Sequence, residues 1–532
     1  MNSYRARPLL TSIALIAGAS IGCGSAPQPT TKTLQNTTKT LATVTEKDGQ
    51  VGTTEPPYFF LELVERVKES EPSTWMPKRA TMPEALAALG PDLDHSARFR
   101  PERSLFRGSA SPFEVQFFHT GWSFRDLVDV DVIDGAGQVH PFPFSAHLFE
   151  YERTERPSSG AGLGFSGFRV LFPLNEHSRK DEVLVFQGAS YFRSLGRGQV
   201  YGLSARALAV DLGGEKTEEF PTFSQFYIQE PAATDDSMWI FGILASARTN
   251  GVYAFRVHPA DTTTVEVFAR VFVTAPVDAL GLAPMSSMFL FGEEHPAAND
   301  DYRPEVHDSD GMAFLSKDGE HLFRPLRNPA RTTHSSFRLD SPRGFGFLQR
   351  DRAFAHYQDL ELKYQHRPSL WVEPLHDWGP GSLHLLEITT KLESDDNMAL
   401  TWVPDQVPAD GLSLHYRLHF GRSPTPEDRG AKVVATRVGH GPGDSTRFVI
   451  DFDGPHDGES PVDASAIRAT VDCQGGQLAS APQTVALPSG RIQVRFDITP
   501  QAESRDVELR AYLRRERDVL SETWSYLWQP SQ

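Results

Sequence analysis

The chain has 532 residues, of which 69 are acidic and 52 basic, so its formal net charge is −17. Because the balance is acidic and no run of Lys and Arg interleaves with aromatic residues, a nucleic-acid partner is not expected. No segment after the N-terminus is apolar enough to span a bilayer, so any membrane attachment is expected to rest on the N-terminus alone.

The N-terminal segment has the pattern of a secretory signal peptide. Arg5 and Arg7 precede an apolar run at 9–21, which is shorter than the ~20 residues of a transmembrane helix and ends in small residues. The four residues that end at Cys23, Ser-Ile-Gly-Cys, resemble a bacterial lipobox, so Cys23 is the expected lipidation site. The alternative is an ordinary signal peptide that is cut near Ala26 and discards the cysteine. Either interpretation exports the protein.

The segment after the predicted signal peptide is expected to be a disordered tether. Residues 24–54 are rich in Thr, Gln, Pro, Ser and Lys and hold almost no large apolar side chain that could offset the entropy of ordering. Cys473 is the second of two cysteines, so an intrachain disulfide would need an unmodified Cys23. Residues 55–532 must therefore depend on a hydrophobic core, and they are numerous enough for two domains.

The body of the chain is predicted to be mainly β. The sequence contains 35 Phe, 41 Gly and 39 Pro, and its apolar residues mostly alternate. Two helices are expected first, over 60–70, where Phe60, Val64 and Val67 share a face, and over 81–90, which opens with a capping hydroxyl and ends in Gly. The clearest alternating strands then follow at 113–117, 265–271, 412–418 and 492–496.

A cluster of turn residues between 403 and 411 separates a long Phe-rich region from a run of evenly spaced strands. We therefore predict a boundary after residue 408, with one domain at 55–408 and a second at 409–532. The second domain is predicted to be an immunoglobulin-like sandwich. Its predicted strands lie at 412–420, 432–437, 447–452, 466–472, 492–498 and 507–513.

Motifs of several other chemistries are absent or misplaced. Residues 162–167 match the dinucleotide-binding GxGxxG pattern by letter, but they lead into a strand-like segment and are interpreted as a turn. Residues 308–311 lack the further acidic positions of a calcium-binding loop. Because no HExxH, GxSxG or CxxC occurs, zinc hydrolase, serine hydrolase and redox functions lack support, and neither a metal nor a cofactor is expected.

Carboxylates, arginines and aromatic rings are concentrated in three blocks at 303–311, 344–361 and 367–379. Carboxylates can donate and accept protons, and flat rings stack on the apolar faces of sugars, so this combination is typical of a carbohydrate site. For any single carboxylate in the blocks, the alternative is a solvated loop or an ordinary salt bridge.

These blocks and the segments around them resemble the OpgG/OpgD (MdoG) family of periplasmic glucan biosynthesis proteins. The resemblance runs in unbroken order from Arg98 to Trp524. Between the ends it includes the segments at 117–119, 188–193, 201–206, 219–221, 287–292 and 447–452.

The resemblance implies a large galactose-mutarotase-like β-sandwich followed by an immunoglobulin-like β-sandwich, in agreement with the strand pattern. It also implies a periplasmic location and the activity of an inverting, endo-acting β-1,2-glucanase. The implied partner is a β-1,2-linked glucose polymer, and a membrane glucan synthase is a second candidate partner.

The resemblance also assigns two catalytic carboxylates. The aspartate of the family's E-x-x-D-N element is the general acid, and it matches Asp396 in the segment Glu393-Ser-Asp-Asp-Asn. The carboxylate that activates water through a proton relay matches Asp308. An inverting hydrolase uses such a pair, typically ~6.5–9.5 Å apart or further with a relay. We expect burial, or the neighbours Glu393 and Asp395, to raise the pKa of Asp396.

A second set of residues is predicted to hold the sugar: Tyr357, Arg350, Arg352, Trp371, Glu373 and Glu393. Two other functions stay open. One is a non-catalytic protein that binds nascent glucan and presents it to a synthase or a modifying enzyme. The other is an epimerase, which rests on fold analogy alone.

Overall fold

The computed structural model describes residues 55–68, 76–157, 162–296, 301–425, 430–454, 466–502 and 504–530. The predicted signal peptide, Cys23 and the predicted tether at 24–54 lie outside these ranges. Among the residues described, no helix is long and apolar enough to cross a membrane.

Helices are few in the described ranges. Helix α1, Tyr58–Lys68, buries Phe60, Val64 and Val67 on one face, as the sequence predicted. The predicted helix at 81–90 is much shorter, because it is preceded by Pro83 and has no side-chain cap. The remaining helices are α2 Glu84–Ala87, α3 Leu93–Ser96, α4 Phe354–Tyr357 and the 3₁₀ turns Gly90–Asp92, Pro101–Arg103, Ala146–Leu148 and Tyr364–His366.

Strands dominate the rest of the described structure. The strands of the first half are β1 Ala97–Phe99, β2 Glu114–His119, β3 Asp129–Ile133, β4 Val139–Pro141, β5 Phe149–Tyr151, β6 Phe165–Glu176, β7 Arg179–Gln187, β8 Tyr191–Ser194, β9 Ser204–Arg206, β10 Leu208–Val210, β11 Thr222–Gln229, β12 Met238–Ala245, β13 Thr249–His258, β14 Thr263–Val273, β15 Leu280–Ser287 and β16 Phe289–Phe291. Those of the second half are β17 Val306–His307, β18 Gly311–Ser316, β19 His321–Pro325, β20 Thr333–Leu339, β21 Pro342–Leu348, β22 Ser369–Pro374, β23 Gly381–Glu387, β24 Met398–Pro404, β25 Leu412–Gly421, β26 Val433–His440, β27 Thr446–Phe452, β28 Arg468–Gln474, β29 Gly476–Leu478, β30 Gln483–Ala486, β31 Ile492–Pro500, β32 Val507–Arg515, β33 Asp518–Val519 and β34 Thr523–Trp528.

Most of these strands form three sheets. The ten-stranded sheet has the order β2-β6-β7-β8-β9-β15-β24-β23-β20, with β10 beside β15. The fifteen-stranded sheet has the order β28-β32-β34-β19-β18-β21-β22-β25-β14-β13-β12-β11-β3-β4, with β33 beside β32. The five-stranded sheet has the order β26-β27-β31-β29, with β30 beside β31. Two further pairs, β1-β5 and β16-β17, stand apart.

The ten- and fifteen-stranded sheets pack face to face through aromatic rings. Phe168 on β6 contacts Phe226 on β11 with ring centroids 4.9 Å apart, and Phe186 on β7 contacts Phe223 on β11 at 5.9 Å. Such pairs contribute about 0.5–1.5 kcal/mol each beyond the area they bury. The Phe-rich composition therefore builds a sandwich core, and the prediction of a mainly β protein is confirmed. The more specific galactose-mutarotase-like and immunoglobulin-like assignments stay predictions.

A second core lies between the five-stranded sheet and one end of the fifteen-stranded sheet. Phe448 on β27 and Phe496 on β31 pack against Trp524 of β34, with centroids 6.2 and 6.0 Å apart. Strand β34 also pairs in parallel with β19, with Leu322 beside Thr523. The fifteen-stranded sheet therefore runs continuously from the first core to the second.

Strand β25 lies in the middle of the fifteen-stranded sheet, where it pairs with β14 on one side and β22 on the other. Its buried residues Leu414, Tyr416 and Leu418 belong to the larger core. The sequence pattern assigned this strand to the second domain, so the first core includes a segment beyond the predicted boundary. The boundary after residue 408 itself stays a prediction.

The GxGxxG-like segment was interpreted as a turn; the structure has a turn at Gly162, and the last three residues of the segment, from Phe165, belong to β6. Gly167 has φ 151°, and a Cβ there would lie 2.0 Å from the Phe186 carbonyl oxygen. This glycine therefore serves the close pairing of β6 with β7.

Candidate active site

The Asp308 turn is held between two strands of different sheets. It connects β17 to β18, and the Asp308 backbone N–H donates to the Met288 carbonyl at 2.9 Å. Two residues later the Asp310 N–H donates to the Leu348 carbonyl, also at 2.9 Å. These bonds fix the backbone on both sides of the Asp308 side chain, which is only 9% exposed.

The loop that carries Asp396 connects β23 to β24 and is held by the next residue, Asn397. The Asn397 Oδ1 accepts a hydrogen bond from the Phe289 N–H at 2.9 Å, and its Nδ2 donates to the Phe289 carbonyl at 3.0 Å. Phe289 directly follows Met288, whose carbonyl holds Asp308. The loops of both aspartates are therefore anchored on the same short stretch of backbone.

An arginine stands close to each aspartate without a hydrogen bond to it. Arg367 Nε lies 3.4 Å from Asp308 Oδ1, and Arg193 Nη2 lies 3.6 Å from Asp396 Oδ2. Both carboxylate oxygens are buried and have no hydrogen-bond partner. An unsatisfied buried acceptor is costly, so each of these oxygens is available to a hydroxyl group of a substrate or a water molecule.

The electrostatics link the two aspartates. Burial raises the pKa of Asp396; the charges of Arg193 and Arg367 oppose this rise, and that of Asp308 adds to it. The raised pKa agrees in direction with the expectation from sequence; of the two predicted acidic neighbours Asp395 contributes, and Asp308 stands in place of Glu393. Because Arg367 contacts Asp308 and also acts on Asp396, the two carboxylates share one electrostatic environment.

Glu393 belongs to the same site through Tyr364 and Arg303. The Tyr364 hydroxyl donates to Glu393, and the Arg303 guanidinium donates to both Glu393 oxygens at 2.9 and 2.8 Å. Arg303 also donates to Asp359 at 3.1 Å. Burial raises the pKa of Tyr364, with the charge of Asp308 as the next cause. The Tyr364 hydroxyl thus keeps its proton, donates it to a hydrogen bond with Glu393, and is affected by the charge of Asp308.

Gly202 brings backbone close to the Asp308 carboxylate. A Cβ at this position would lie 3.0 Å from Arg367 Cδ and 3.3 Å from Asp308 Cγ. The preceding carbonyl, of Tyr201, accepts a hydrogen bond from Arg367. A side chain at residue 202 would therefore press on the ion pair of Asp308 and Arg367.

An exposed aromatic ring lies over Arg206. The Arg206 guanidinium carbon lies 4.9 Å from the Tyr191 ring centroid and 5.0 Å from that of Phe220, and Phe220 is 41% exposed. Burial raises the pKa of Tyr191, and the charge of Asp396 is among the smaller causes. The stack of Tyr191, Arg206 and Phe220 therefore ends in a ring that is partly exposed to solvent.

Comparison with known proteins identifies the family. The sequence matches the family described as "Periplasmic glucan biosynthesis protein, MdoG" over residues 59–528. The chain belongs to the MdoG family. It is 39% identical over 482 residues to a Ralstonia nicotianae protein named "Glucans biosynthesis protein G". This match covers 88% of this chain and 95% of that protein. A Rhodopseudomonas palustris protein of the same name is 42% identical over 456 residues, 85% of this chain and 89% of its own length. Membership of this periplasmic family connects the chain with glucan biosynthesis.

Two of the residues predicted to hold sugar donate hydrogen bonds to backbone carbonyls. Tyr357 is fully buried, and its hydroxyl donates to the Asp351 carbonyl at 3.2 Å. Arg352 donates to the carbonyl oxygens of Gln365 and Arg422 at 3.3 and 3.1 Å. Burial lowers the pKa of Arg352 to about 10. Both side chains support the loops of the block at 344–361.

Arg350, which was also predicted to hold sugar, contacts the C-terminal part of the chain. It forms a two-pronged ion pair with Glu522 at 2.6 and 2.9 Å, and its guanidinium lies over the Phe323 ring at 3.8 Å. These contacts bridge β34 and β19 close to the junction of the two cores.

Trp371 and Glu373, the last two members of that set, lie on β22. Trp371 is 3% exposed, and its ring covers Gly344, where a Cβ would lie 2.4 Å from the ring. Glu373 accepts hydrogen bonds from His419 at 2.8 Å and Arg417 at 3.3 Å. The structure thus brings Asp308, Asp396 and Glu393 together. It gives Tyr357, Arg350, Arg352 and Glu373 hydrogen-bond partners within the protein, and it buries Trp371. Their contact with sugar stays a prediction.

Sequence reasoning did not single out Arg193, Arg367, Arg303 or Tyr364 as site residues. Arg367 and Arg303 open two of the three polar blocks, and Arg193 lies two positions from Tyr191 on β8, so that both point to one face of the strand. This alternation was the available signal for Arg193. The partner of each arginine, by contrast, lies too far away in sequence to be identified from local pattern.

Proposed function

We propose that the chain is a periplasmic hydrolase of β-1,2-linked glucan that inverts the anomeric centre, with Asp396 as general acid and Asp308 as the base that activates water. The observation that carries the proposal is the pair of buried, unpaired carboxylate oxygens, one on each aspartate, in the field of Arg367. Family membership supplies glucan as the substrate class.

The environment of Asp396 suits the donor of a proton. Its raised pKa keeps the carboxyl protonated at a higher pH than an exposed aspartate, so it can protonate the glycosidic oxygen of the leaving sugar. Once the proton has left, Arg193 at 3.6 Å and the charge of Arg367 stabilise the new carboxylate. General acid–base catalysis of this kind contributes about 10²–10⁴-fold.

The environment of Asp308 suits the acceptor of a proton. The Arg367 guanidinium at 3.4 Å is a partner for an ionised carboxylate, and the free Oδ1 is left to accept from water or from a hydroxyl that relays the proton. Attack by that water on the face opposite the leaving group would invert the anomeric carbon. Phe220, with its ring 41% exposed, offers an apolar face on which a glucose unit can stack.

The test is hydrolysis of linear β-1,2-glucan, followed as newly formed reducing ends, with β-1,3- and β-1,4-glucans as comparison substrates. Asp396→Asn and Asp308→Asn should each lose activity while they keep the circular dichroism spectrum of the wild type. Asp451→Asn is the matched control, because Asp451 is 4% exposed and paired with Arg437 at 3.0 Å in the five-stranded sheet. An inactive wild type, or full activity in Asp396→Asn, would overturn the assignment.

A second candidate function is the binding of nascent glucan and its presentation to a membrane synthase or a modifying enzyme. It is favoured by the names of the relatives, which refer to biosynthesis. Production of periplasmic glucan in a strain that lacks the protein would be measured after complementation. If Asp308→Asn and Asp396→Asn restore production as well as the wild type does, binding is sufficient and hydrolysis is not the physiological role.

The proposed location is the periplasm, with a lipid on Cys23 as the attachment to a membrane. A flexible segment of the length of residues 24–54 would span roughly 30 Å. Incorporation of labelled fatty acid into the wild type and its absence in Cys23→Ser would support the lipid. An unlabelled wild type would contradict the lipid on Cys23.

A further inference from the structure

Three side chains with metal-binding atoms meet next to Asp308. One ligand atom each from Glu305, His307 and Asp351 lies within 4.8 Å of the others. The closest pair is His307 Nε2 and Glu305 Oε2, at 2.9 Å. Ligand atoms bound to one ion through bonds of about 2.0–2.2 Å lie roughly 3.0–3.5 Å apart. A small side-chain adjustment would therefore place all three around an ion. We call this group the 305–351 cluster.

The imidazole of His307 is oriented as in many metal sites. Its Nδ1 lies 2.9 Å from Gln349 Oε1. The Gln349 Nε2 donates to the carbonyls of His307 and Tyr364 at 2.9 and 3.3 Å, which fixes the amide so that Oε1 faces the imidazole. Because Oε1 can only accept, Nδ1 carries a hydrogen and Nε2 is the atom directed at the cluster. A second partner on Nδ1–H is the usual support of a metal-binding imidazole.

A further carboxylate with an unsatisfied oxygen lies next to the cluster. Asp310 lies beside Asp351, because its Oδ2 accepts a hydrogen bond from the Asp351 N–H at 2.9 Å. The Asp310 Oδ1 is buried and has no hydrogen-bond partner. Three carboxylates thus lie close to the imidazoles of His307 and His356. They would compensate the charge of a bound divalent cation.

An entry path is present on one side of the cluster. The side chains of His307 and Glu305 are 1% and 6% exposed, whereas those of Asp351 and His356 are 20% and 35% exposed. The His356 Nδ1 lies 3.0 Å from Glu305 Oε1, and its Nε2 lies 3.5 Å from Asp351 Oδ1. His356 therefore covers the mouth of the cluster and contacts two of the three ligands. An ion can enter beside it, and its imidazole can orient both carboxylates.

We propose that Glu305, His307 and Asp351 bind one divalent transition-metal ion, with His356 as the outer partner of the two carboxylates. A set of one imidazole and two carboxylates suits Zn²⁺ or Mn²⁺ better than Mg²⁺ or Ca²⁺, which prefer oxygen ligands alone. His307 directly precedes Asp308, so the ion would hold the strand that presents this aspartate. The spacing of the three ligands in sequence gave no sign of a metal site, because Asp351 joins the other two only through the fold.

The experiment uses untagged, exported protein that has been stripped with a chelator and desalted. Titration calorimetry with ZnCl₂ and MnCl₂ should show one ion per chain, and thermal unfolding should shift to higher temperature in the presence of the same ion. Binding of MgCl₂ and CaCl₂ should be at least about tenfold weaker. Glu305→Gln and Asp351→Asn keep side-chain size and should weaken binding by at least about tenfold.

The matched control is Glu373→Gln, which removes a carboxylate from a comparable contact with His419 at 2.8 Å on β22. It should bind the ion as the wild type does. The first shell of the zinc-loaded wild type, measured by X-ray absorption, should contain nitrogen and oxygen and no sulfur, which separates the cluster from Cys473. The proposal is overturned if folded wild type binds neither Zn²⁺ nor Mn²⁺ saturably, if the shell contains sulfur, or if the Glu305 and Asp351 variants bind with unchanged affinity.

Discussion

Two buried pairs of arginine and carboxylate in this protein differ in how closely they bind. Arg350 and Glu522 form two hydrogen bonds of 2.6 and 2.9 Å, and Glu522 also accepts from the Val433 N–H at 2.6 Å. Asp396 and Arg193, by contrast, stand 3.6 Å apart, and an oxygen of Asp396 has no hydrogen-bond partner. The first pair satisfies its charges and links distant strands. The second leaves hydrogen-bonding capacity unused.

The fully bonded pair is suited to stabilise the fold, and the pair with an unsatisfied oxygen is suited to chemistry. Breaking a fully bonded buried pair leaves an uncompensated charge and costs stability. Removing a carboxylate whose oxygen is buried and unsatisfied relieves a desolvation cost instead. The two pairs should therefore respond to substitution in opposite ways, and the variants below are arranged from the largest expected effect to the smallest.

Asp396→Asn should give the largest loss of activity with no loss of stability. The amide cannot donate the acid's proton, so kcat on β-1,2-glucan should fall by about 10²–10⁴-fold. Because the variant also replaces a buried carboxyl that has an unsatisfied oxygen, its thermal midpoint should equal or exceed that of the wild type. Kinetics and thermal unfolding on the same preparation measure both. A variant that loses stability in proportion to its activity would place Asp396 among the supports of the fold.

Glu522→Gln should show the opposite pattern. The Arg350 guanidinium would remain buried without its counter-charge, and the free energy of unfolding should fall by about 3–5 kcal/mol. Denaturant unfolding measures the loss, and kcat at a temperature where the variant is folded should stay close to that of the wild type. The double variant Arg350→Met with Glu522→Leu is the control, because removal of both charges should recover much of the stability. A large kcat effect in the folded Glu522→Gln protein would mean that Arg350 acts in the site after all.

Local pattern predicted the strands of this protein well but not their partners. Each of the six strands expected after residue 411 exists, and α1 buries the predicted face. The parallel pairing of β34 with β19, however, joins Leu322 to Thr523, and alternation within either strand carries no information about the other. The partner of Arg350 could not be predicted for the same reason. Its block is rich in acids and aromatic rings, and nothing nearby in sequence indicates that Glu522 is its partner.

The candidate site could likewise be predicted only in part. Asp308 and Asp396 were identified by resemblance to the family, and the residue types alone indicated only a carbohydrate site. Their positions depend on two adjacent backbone groups, at Met288 and Phe289, which anchor both loops. Such an anchor has no signature in side-chain pattern, because backbone N–H and C=O groups are present at nearly every residue.

The pH dependence of activity should report the environment of Asp396. An acid must be protonated to act, so log kcat should decline as pH rises through the raised pKa of Asp396. Arg193 lowers this pKa, so Arg193→Gln should move the alkaline limb of the profile to higher pH. The profiles of both proteins would be measured under substrate saturation. A limb that stays in place would show that another group limits the reaction at high pH.

Phe220→Ala should have a smaller effect, mainly on KM. The exposed ring lies over Arg206, and its stacking on a sugar would contribute about 0.5–1.5 kcal/mol. KM should therefore rise by about two- to tenfold with kcat nearly unchanged. Leu478→Ala, at a residue 38% exposed on β29, is the control for loss of exposed apolar area. Equal KM values for all three proteins would remove Phe220 from the sugar-binding surface.

The smallest effect is expected at the pair of His384 and His334, which is neither part of the candidate active site nor a fully bonded ion pair. His384 on β23 lies 3.0 Å from His334 on β20, and burial followed by the charge of His334 lowers the pKa of His384 to about 4. The unfolded chain therefore takes up this proton near pH 6.5, before the folded protein does, so stability falls as pH decreases from about 6.5 to about 4. His384→Gln should flatten that decline by less than about 1 kcal/mol, because His334 is exposed and solvent screens the pair. Thermal midpoints of the two proteins between pH 4 and pH 7 measure the difference. An effect as large as that of Glu522→Gln would contradict the inference that short, fully bonded charge pairs in the interior carry the electrostatic stability of this fold.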